Sequence, residues 1–366
     1  MKIVTILGTR PEITKLSPLL HLLDEDEEIE HILIHTGQHY DYNMDSIFFS
    51  ELGLKSPKHL LEVGSGSHAN QVAKMMEGIE DVLNIEKPDG VIVFADPNTP
   101  LAGSLVASKM HIPLVHLEAG CRSFNKKMPE EINRIVCDHC ADLLLAPDKK
   151  AHQNLLREGL PEDKISVVGS TAVEASLRNI VFAREKSKIL KELDMVDKDY
   201  ILLTIHRAEN TNNFLVLKGL IEAAEEIAYS ENIPIIFPIH PRTKKILIEH
   251  NFIPKTIKLI EPQGYLDFLN LLDSCLFVMS DSGGIQEEAV ALDTPCLILR
   301  NETEWTYFTD VGKNLLLGTN KEKIIEVVTK LLRNKEKLQH MKNIQLNLNS
   351  NVAQKMVEII KNGIKR

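Results

Sequence analysis

Short apolar segments of this 366-residue sequence repeatedly end in side chains that could do chemistry. Carboxylates and histidines can move protons, and glycine-rich helix starts can hold phosphate groups. In open parallel sheets, ligands bind just beyond the carboxyl ends of the strands, so such residues would meet at one edge. Six predicted strands end in this way, at Gly8-Thr9-Arg10-Pro11-Glu12, Asp96, Glu118-Ala119-Gly120, His206-Arg207, His240-Pro241 and Ser280-Asp281-Ser282-Gly283-Gly284.

The segment Ser280–Ala289 has the residues of an anion-binding helix start. Gly283 and Gly284 let the backbone approach a ligand closely, and the free N–H groups of the helix that follows point at it. Glu287, about one turn inside, could accept hydrogen bonds from sugar hydroxyls such as a ribose diol. The pattern is therefore typical of a nucleotide site.

Ordinary helix capping by Asp281 or Ser282 explains the same segment equally well, with the glycines placed at a turn. Arg10 and Lys15 supply two cations at another strand end. Because cations can bind phosphate groups, their presence favours a diphosphate ligand over simple capping. A structural helix start with solvated charges remains the alternative for the segment that contains these cations.

Three carboxylates lie at strand ends or at a helix start and are candidates for acid–base work: Asp96, Glu118 and Glu130. Glu130 and Arg134 are four residues apart, so they share one face of the helix predicted from Pro129. An ordinary surface ion pair explains Glu130 and Arg134 equally well. His206 and Arg207 follow an apolar strand and are candidates as well, although a histidine satisfied by neighbouring backbone is the alternative.

Metal binding is not expected. Cys137 and Cys140 have the two-residue gap of some zinc sites, but they lie in a helical stretch without a matching pair elsewhere. A nicotinamide cofactor is not expected either, because the first strand turn lacks the G-x-G-x-x-G fingerprint. The sequence therefore predicts no cofactor.

Apolar strands alternate with amphipathic helices along the whole sequence, which indicates parallel sheets covered on both faces. The predicted helices include Asn70–Asn84, Asn213–Tyr229 and Lys321–Leu332. The predicted strands are Lys2–Leu7, His31–His35, Gly90–Phe94, Leu114–Leu117, Leu143–Ala146, Ser166–Val168, Tyr200–Ile205, Pro234–Ile239, Ile257–Ile260, Leu276–Met279 and Cys296–Leu299.

The charged helical stretch Arg178–Lys198 interrupts this rhythm and is interpreted as the join between two Rossmann-like α/β domains. The expected domains are residues 1–177 and 178–350, with parallel sheets facing a central cleft. Residues 351–366 are expected to form a C-terminal helix that packs back on the N-terminal domain. A cleft of this kind would collect the polar strand ends of both domains.

The composition restricts the partners of the protein. The formal net charge of -10 argues against nucleic-acid binding, which needs a basic surface. No apolar run approaches the length of a membrane span, and the N-terminus lacks the pattern of a signal peptide. Five cysteines, an odd number spread over a long chain, fit reduced thiols in a cytoplasm.

The sequence resembles the non-hydrolysing UDP-N-acetylglucosamine 2-epimerases of bacteria and archaea. The resemblance runs along nearly the whole chain, and the complete ordered set of motifs is highly specific. The motifs are GTRPEITK, TGQH, ADPNTPLAGS, HLEAGCRS, PEEINR, HRAEN, PIHPRT and SDSGGIQEEA. The resemblance implies two Rossmann-like domains in the GT-B arrangement of many glycosyltransferases, with UDP in the cleft. It also implies a homodimer, no NAD, and UDP-N-acetylmannosamine as the product for surface glycans.

The resemblance also implies roles for individual residues. The catalytic acids would be Asp96, Glu118 and Glu130, supported by Arg134 and His206. The UDP site would use Arg10, Lys15, His206, Ser282, Gly283, Gly284 and Glu287. In bacterial relatives a second substrate molecule can bind beside the active site and activate it, and the candidates for such a site are Gln38, His39, Arg207 and His240.

Three other functions compete with the epimerase. A glycosyltransferase with a UDP-sugar donor would share the architecture and the diphosphate site. A hydrolysing epimerase that releases N-acetylmannosamine would share the fold and similar carboxylates. A UDP-sugar-binding regulator would not need Asp96, Glu118 and Glu130 together, which argues against it.

Overall fold

The computed structural model describes residues 1–37, 49–50, 52–196, 198–346 and 351–364. The chain divides into two compact units, which we call the first and the second unit. The first unit comprises Met1–Ala175 and Leu348–Arg366, and the second comprises Ser176–Asn347. Each unit contains its own sheet and its own hydrophobic clusters, so each has the anatomy of an α/β domain.

In the described ranges, the first unit has a seven-stranded sheet of parallel pairings with strand order β3-β2-β1-β4-β5-β6-β7. The order reverses between β1 and β4, which is where doubly wound sheets bind their ligands. The strands are β1 (Lys2–Leu7), β2 (Glu30–His35), β3 (His59–Leu60), β4 (Gly90–Phe94), β5 (Leu114–Leu117), β6 (Leu143–Ala146) and β7 (Ile165–Val167). The helices are α1 (Arg10–Glu25), α2 (His68–Glu86), α3 (Asn98–Lys109), α4 (Pro129–Cys140) and α5 (Lys149–Arg157).

Both faces of this sheet are buried, and β1 shows why its residues form a central strand. Ile3 and Leu7 point into one hydrophobic cluster, while Val4 and Ile6 point into another on the opposite face. Successive side chains of a strand alternate between faces, so a nearly continuous apolar run, here interrupted by the buried Thr5, suits a sheet covered by helices on both sides.

The second unit repeats the plan with a six-stranded sheet in its described part. Its pairings are parallel and its order is β10-β9-β8-β11-β12-β13, which reverses between β8 and β11. The strands are β8 (Ile201–Thr204), β9 (Ile235–Pro238), β10 (Lys258–Ile260), β11 (Val278–Ser280), β12 (Cys296–Ile298) and β13 (Asn314–Leu316). The helices are α7 (Ile189–Glu192), α8 (Ala208–Thr211), α9 (Phe214–Ser230), α10 (Pro241–Glu249), α11 (Tyr265–Ser274), α12 (Gly283–Ala291), α13 (Thr306–Asp310), α14 (Lys321–Arg333) and α15 (Lys335–Asn343).

The last helix, α16 (Val352–Ile364), packs into the first unit. Its apolar residues recur at helical spacing and join the hydrophobic cluster that α1 also covers. Glu174, on the helix Thr171–Lys186 (α6), accepts a hydrogen bond of 2.8 Å from the backbone N–H of Ala353. The nitrogen Nζ of Lys361 lies 2.9 Å from a carboxylate oxygen of Asp26.

The alternating pattern predicted the strands to within one or two residues at each end, and the expected α/β fold with parallel sheets is confirmed. The three predicted helices are present with similar bounds. Two strands were not predicted, β3 and β13. Both are only two or three residues long and lie at sheet edges, where an apolar pattern is too short to read. Within the described part of the chain, no helix is long and apolar enough to cross a membrane.

Candidate active site

The turn from β1 into α1 lies at the reversal point of the first sheet and is built around a close approach of backbone. A Cβ atom at Gly8 would collide with the hydroxyl oxygens of Thr36 and Thr99, which lie 2.9 Å apart and are fully buried. Only glycine fits there. The strand therefore delivers Arg10, which is half-buried, to this edge of the sheet.

Glu12 is a buried carboxyl group in the first turn of α1, with an exposed fraction of 2%. Its Oε2 accepts from the backbone N–H of Gly8 at 3.0 Å and from the hydroxyl of Thr9 at 2.8 Å. Its Oε1 has no hydrogen-bond partner in the part of the chain that the structure describes. Burial raises the pKa of Glu12 from 4.5 to about 7 against the effect of these bonds, and the charge of Asp96 adds to the rise.

Replacing Glu12 by Gln is expected to stabilise the protein above neutral pH. The raised pKa means that the folded state keeps a proton that the unfolded chain loses near pH 4.5. Stability is therefore lost as the pH rises from about 4.5 through about 7. A shift of this size corresponds to about 3 kcal/mol at pH 8, which the variant would recover. Chemical denaturation at pH 4.5 and pH 8, followed by circular dichroism, measures the difference.

Glu86→Gln is the matched control for Glu12→Gln, because the effect on Glu86 has the opposite sign. Hydrogen bonds from Lys58 and His59 lower the pKa of Glu86 to about 2. Its removal should therefore destabilise the protein at pH 8. Equal stability of wild type and Glu12→Gln at pH 8 would show that Glu12 ionises normally.

Asp96 follows β4, and helix α4 holds both its side chain and its backbone. Nε and Nη2 of Arg134 lie 2.8 and 2.5 Å from Oδ2 of Asp96. The side-chain amide of Asn133 donates to the carbonyl oxygen of Asp96 at 2.9 Å. Nη1 of Arg134 donates to Oε2 of Glu131 at 2.8 Å, and Glu131 is almost fully buried. Arg134 therefore acts as a fixed fork for Asp96.

Helical spacing places Arg134 on one face with Glu130, and the structure shows Arg134 bonded to Asp96 and Glu131. Helical spacing predicts only partners on the same helix, and the contact with Asp96 crosses to another element. Glu130 itself lies half-buried in the first turn of α4.

Glu118 follows β5 and pairs with Lys15 of α1. The distance from Nζ of Lys15 to Oε1 of Glu118 is 3.4 Å, and both side chains are largely buried. Glu118 and Ala95 both adopt left-handed backbone, with φ of 66° and 58°. Non-glycine residues rarely adopt such values, which cluster at functional sites. The first unit thus presents two carboxylates, each beside a cation and each in or next to a strained residue.

In the second unit, Asp281 is the centre of a buried hydrogen-bond cluster at the end of β11. It accepts from the backbone N–H groups of His206 and Arg207, each at 3.0 Å, and from the side-chain amide of Asn210 at 3.0 Å. Nδ1 of His206 lies 3.3 Å from its other oxygen. Burial opposes ionisation of Asp281, but these donors outweigh it and lower its pKa. Asp281 therefore fixes the backbone and the ring of His206.

This arrangement argues against helix capping as the role of Asp281 or Ser282. Asp281 accepts its bonds from β8 and the loop after it, and the N-cap residue of α12, Ser282, makes no side-chain capping bond in the described structure. A Cβ at Gly283 would collide with a carboxylate oxygen of Glu304. An acidic group thus already lies against this helix start, where the N–H groups favour anions. Glu287 is fully buried one turn inside.

Glu304 is itself held by cations. Nη1 of Arg300 lies 2.9 Å from Oε2 of Glu304, and Nη2 of Arg207 lies 4.0 Å from Oε1. The rings of His206 and His240 lie near one another, with centroids 5.7 Å apart. His206, Arg207 and His240 therefore cluster at the carboxyl-end edge of the second sheet.

The site residues predicted from the sequence are divided between the two units, apart from two that lie outside the described residues. Among the candidates for activation, Gln38 and His39 lie outside the described residues. No cluster of three or more His, Cys, Asp or Glu side chains suited to a metal is present in the described ranges. The first unit holds Arg10, Lys15, Asp96, Glu118, Glu130 and Arg134, and the second holds His206, Arg207, His240, Ser282, Gly283, Gly284 and Glu287.

Two residues of these clusters were not predicted from the sequence. The sequence motif includes Glu12 but gives it no role, although Thr9 and Glu12 have the T-x-x-E spacing of a capping box, which can indicate a buried acceptor. For Asp281 the sequence offers helix capping only as one alternative, and no local pattern links it to His206, 75 residues earlier.

Comparison with known proteins identifies the family. A family model described as UDP-N-acetylglucosamine 2-epimerase matches residues 21–361. The chain belongs to the UDP-N-acetylglucosamine 2-epimerase family. This confirms the family that the sequence motifs indicated. The match covers most of both units, so the whole fold belongs to the family.

This chain is similar to two curated relatives and to one solved structure. The UDP-N-acetylglucosamine 2-epimerase of Methanocaldococcus jannaschii is 50% identical over 92% of this chain and 93% of its own length. A UDP-2,3-diacetamido-2,3-dideoxy-D-glucuronate 2-epimerase of Pseudomonas aeruginosa is 40% identical over 89% and 91%. A crystal structure of the Methanocaldococcus jannaschii enzyme in complex with UDP-GlcNAc and UDP has a TM-score of 0.91 at 48% identity. It covers 99% of this chain and 100% of that one.

Proposed function

We propose that this chain catalyses the reversible epimerisation of UDP-N-acetylglucosamine to UDP-N-acetylmannosamine at the second sugar carbon. Family membership and 50% identity to an enzyme of that name support the reaction. The structural observation that carries it is the pair of carboxylates at the carboxyl-end edge of the first sheet. Asp96 is held by Arg134, and Glu118 lies beside Lys15.

We propose a route by elimination and re-addition. A base removes the proton at the second carbon, and the bond from the first carbon to the UDP oxygen breaks with its electron pair leaving on UDP. The intermediate is the unsaturated sugar 2-acetamidoglucal. The UDP oxygen then adds back to the first carbon, and a proton is delivered to the opposite face of the second carbon. These two reaction steps balance without an oxidant or reductant, so the reaction needs no nicotinamide cofactor.

The carboxylates Asp96, Glu118 and Glu130 are the proposed acid–base groups. Two of them must serve opposite faces of the ring, because the proton leaves one face and returns to the other. Arg134 holds Asp96 by two nitrogen atoms, which limits the positions its carboxylate can take. A carboxylate near the first carbon would also stabilise the positive charge that develops there as UDP leaves.

The nucleotide is assigned chiefly to the second unit. The start of α12, Ser282, Gly283 and Gly284, would bind phosphate oxygens through backbone N–H groups. Buried Glu287 would accept from the ribose hydroxyls. His206, fixed by Asp281, would contact the diphosphate and stabilise the departing charge. Arg10 and Lys15 are the cations of the first unit that the resemblance to the family assigns to UDP.

Three further properties, which the resemblance to the family implies, are part of the proposal. The chain forms a homodimer, which sedimentation at micromolar concentration measures. It works in a cytoplasm, consistent with five cysteines that carry no disulfide in the structure. A second substrate molecule activates it through a site that includes Arg207 and His240, for which the proximity of the His206 and His240 rings is the support.

Proton NMR of the enzyme with UDP-N-acetylglucosamine in heavy water tests the function and the route together. The signals of UDP-N-acetylmannosamine should appear, and that product should carry one deuterium at the second carbon because the removed proton exchanges with solvent. Product that retains its original hydrogen would rule out elimination by proton transfer and indicate a transient oxidation.

The same spectra separate the alternatives. Free N-acetylmannosamine with UDP would identify a hydrolysing epimerase, and an unchanged spectrum would favour a glycosyltransferase or a binding protein. UDP-2,3-diacetamido-2,3-dideoxy-D-glucuronate is the second substrate to try, since a relative at 40% identity carries that name. Turnover of that sugar alone would move the assignment to it.

A further inference from the structure

Helix α4 carries a second buried acidic residue, Asp138, with an exposed fraction of 0%. Its Oδ1 lies 2.6 Å from Nδ1 of His116, and its Oδ2 accepts from the backbone N–H of Gly120 at 3.1 Å. Nη2 of Arg122 donates to the same Oδ2 at 2.6 Å. Burial opposes ionisation, but the charges of His116 and Arg122 outweigh it and lower the pKa of Asp138. The ionised carboxylate thus has donors on both oxygens.

His116, on β5, is buried and has an acceptor at each ring nitrogen. Nδ1 lies 2.6 Å from the Asp138 carboxylate, and Nε2 lies 2.9 Å from the carbonyl oxygen of Ala95. A carboxylate and a carbonyl oxygen can only accept, so this pattern requires an N–H on both nitrogens, the imidazolium form. Both carboxylate oxygens of Glu158 accept hydrogen bonds of 2.8 Å from Arg122. The two cations, His116 and Arg122, and the two carboxylates, Asp138 and Glu158, therefore form one network.

This network contacts both loops that carry the proposed acid–base groups. Through His116 it binds the carbonyl of Ala95, the residue immediately before Asp96. Through Asp138 it binds the N–H of Gly120, two residues after Glu118. Ala95 and Glu118 are also left-handed residues of these loops that are not glycine. Strained backbone persists only where the surroundings hold it, and these hydrogen bonds are in the right place to do so.

We propose that Asp138 and His116 are positioning residues that hold Asp96 and Glu118 in register with one another. A single buried carboxylate sets the geometry of both loops, so a change in it moves both proposed acid–base groups at once. Displacements of about 1 Å at reacting groups can cost on the order of 10²-fold in rate. The assignment of a catalytic effect rests on the proposed epimerase function, whereas the structural link between the loops does not.

Asp138→Asn tests the proposal. The amide keeps the shape of the side chain, but its NH2 group must face a donor, either Nδ1–H of His116 or the N–H of Gly120 and the guanidinium of Arg122. We expect kcat with UDP-N-acetylglucosamine to fall by about 10²-fold, with KM changed by less than about 3-fold. Affinity for UDP alone, measured by calorimetry, should stay within about 2-fold, because the proposed nucleotide contacts lie mainly in the second unit.

Glu158→Gln is the matched control. Glu158 belongs to the same network and bonds Arg122 with both oxygens, but among the described residues its side chain has no hydrogen bond to either loop. Its kcat should therefore stay near that of the wild type. Both variants are assayed where circular dichroism shows them fully folded. A kcat of Asp138→Asn within about 3-fold of Glu158→Gln would overturn the positioning role.

Amide hydrogen exchange, read by mass spectrometry, makes the test independent of activity. Peptides that cover Ala95–Asp96 and Glu118–Gly120 should exchange faster in Asp138→Asn than in the wild type or Glu158→Gln. If the wild type does not epimerise the substrate, the proposed function is wrong. Amide hydrogen exchange still tests whether Asp138 holds the two loops. Unchanged exchange at both loops would overturn the structural link itself.

His116→Gln supplies a second variant in case Asp138→Asn does not fold. It removes the imidazolium and its bond to Asp138 but leaves Gly120 bonded to that carboxylate. Faster exchange is then expected at the Ala95 loop alone, with a loss in kcat of about 10-fold or more. Exchange that rises equally across the first unit would indicate a general loss of stability and would contradict the proposal.

Discussion

Glu118→Gln is expected to lower kcat for UDP-N-acetylglucosamine by about 10²–10⁴-fold, the range for lost general acid–base catalysis. The glutamine keeps the size of the side chain and an oxygen that can accept from Lys15, whose ammonium lies 3.4 Å from the carboxylate. It cannot take up or return a proton. The fall should therefore appear in steady-state turnover with little change in UDP affinity.

The two half-reactions give this variant a second signature. If Glu118 serves mainly in re-addition, the intermediate waits longer, and the variant should release UDP and 2-acetamidoglucal, which proton NMR detects. If Glu118 serves in elimination, exchange of the hydrogen at the second carbon should fall with turnover. Glu130→Gln and Asp96→Asn are assayed beside it, and a complementary pattern would assign the two ring faces.

Glu86→Gln is the control for these substitutions, because it also removes a buried carboxylate of the first unit. Glu86 bonds Lys58 and His59, away from the carboxyl-end edge of the sheet. Its kcat should stay near that of the wild type in folded protein. A Glu118→Gln enzyme with wild-type kcat would remove Glu118 from the acid–base groups.

Asp281→Asn is expected to destabilise the second unit by about 3–5 kcal/mol, the scale for breaking a buried charged cluster by changing one partner. Asp281 is fully buried and accepts from two backbone N–H groups and one side-chain amide. The new NH2 group would face donors, which leaves buried groups unsatisfied. Since the same bonds orient His206, the affinity for UDP should fall as well.

Urea denaturation followed by tryptophan fluorescence measures the stability of this unit. Trp305 is the only tryptophan of the sequence and lies buried in the second unit. The control is Asp273→Asn, which removes an ion pair with the largely exposed Arg184 in the same unit. That change should cost less than about 1 kcal/mol. Equal midpoints for both variants would contradict the central role of Asp281.

The apolar pattern predicted most of the fold, and the reason is visible in β1 and β4. Buried on both faces, these strands are nearly continuous apolar runs, which distinguishes them from the amphipathic helices between them. The pattern failed at β3 and β13, which have only two and three residues and lie at sheet edges. Strand order cannot be read from the pattern either, because it depends on pairings between distant segments.

The sequence by itself determined the family, the alternation of strands and helices, and which strand ends carry ionisable residues. Each of these is encoded locally, by motifs or by the period of the apolar residues. Only the tertiary structure decided the partners of these residues. Arg134 bonds Asp96, a contact with another element that helical spacing does not predict, and Asp281 holds His206 rather than capping α12. Such contacts join residues far apart in the chain, because parallel sheets bring the ends of separate strands to one edge.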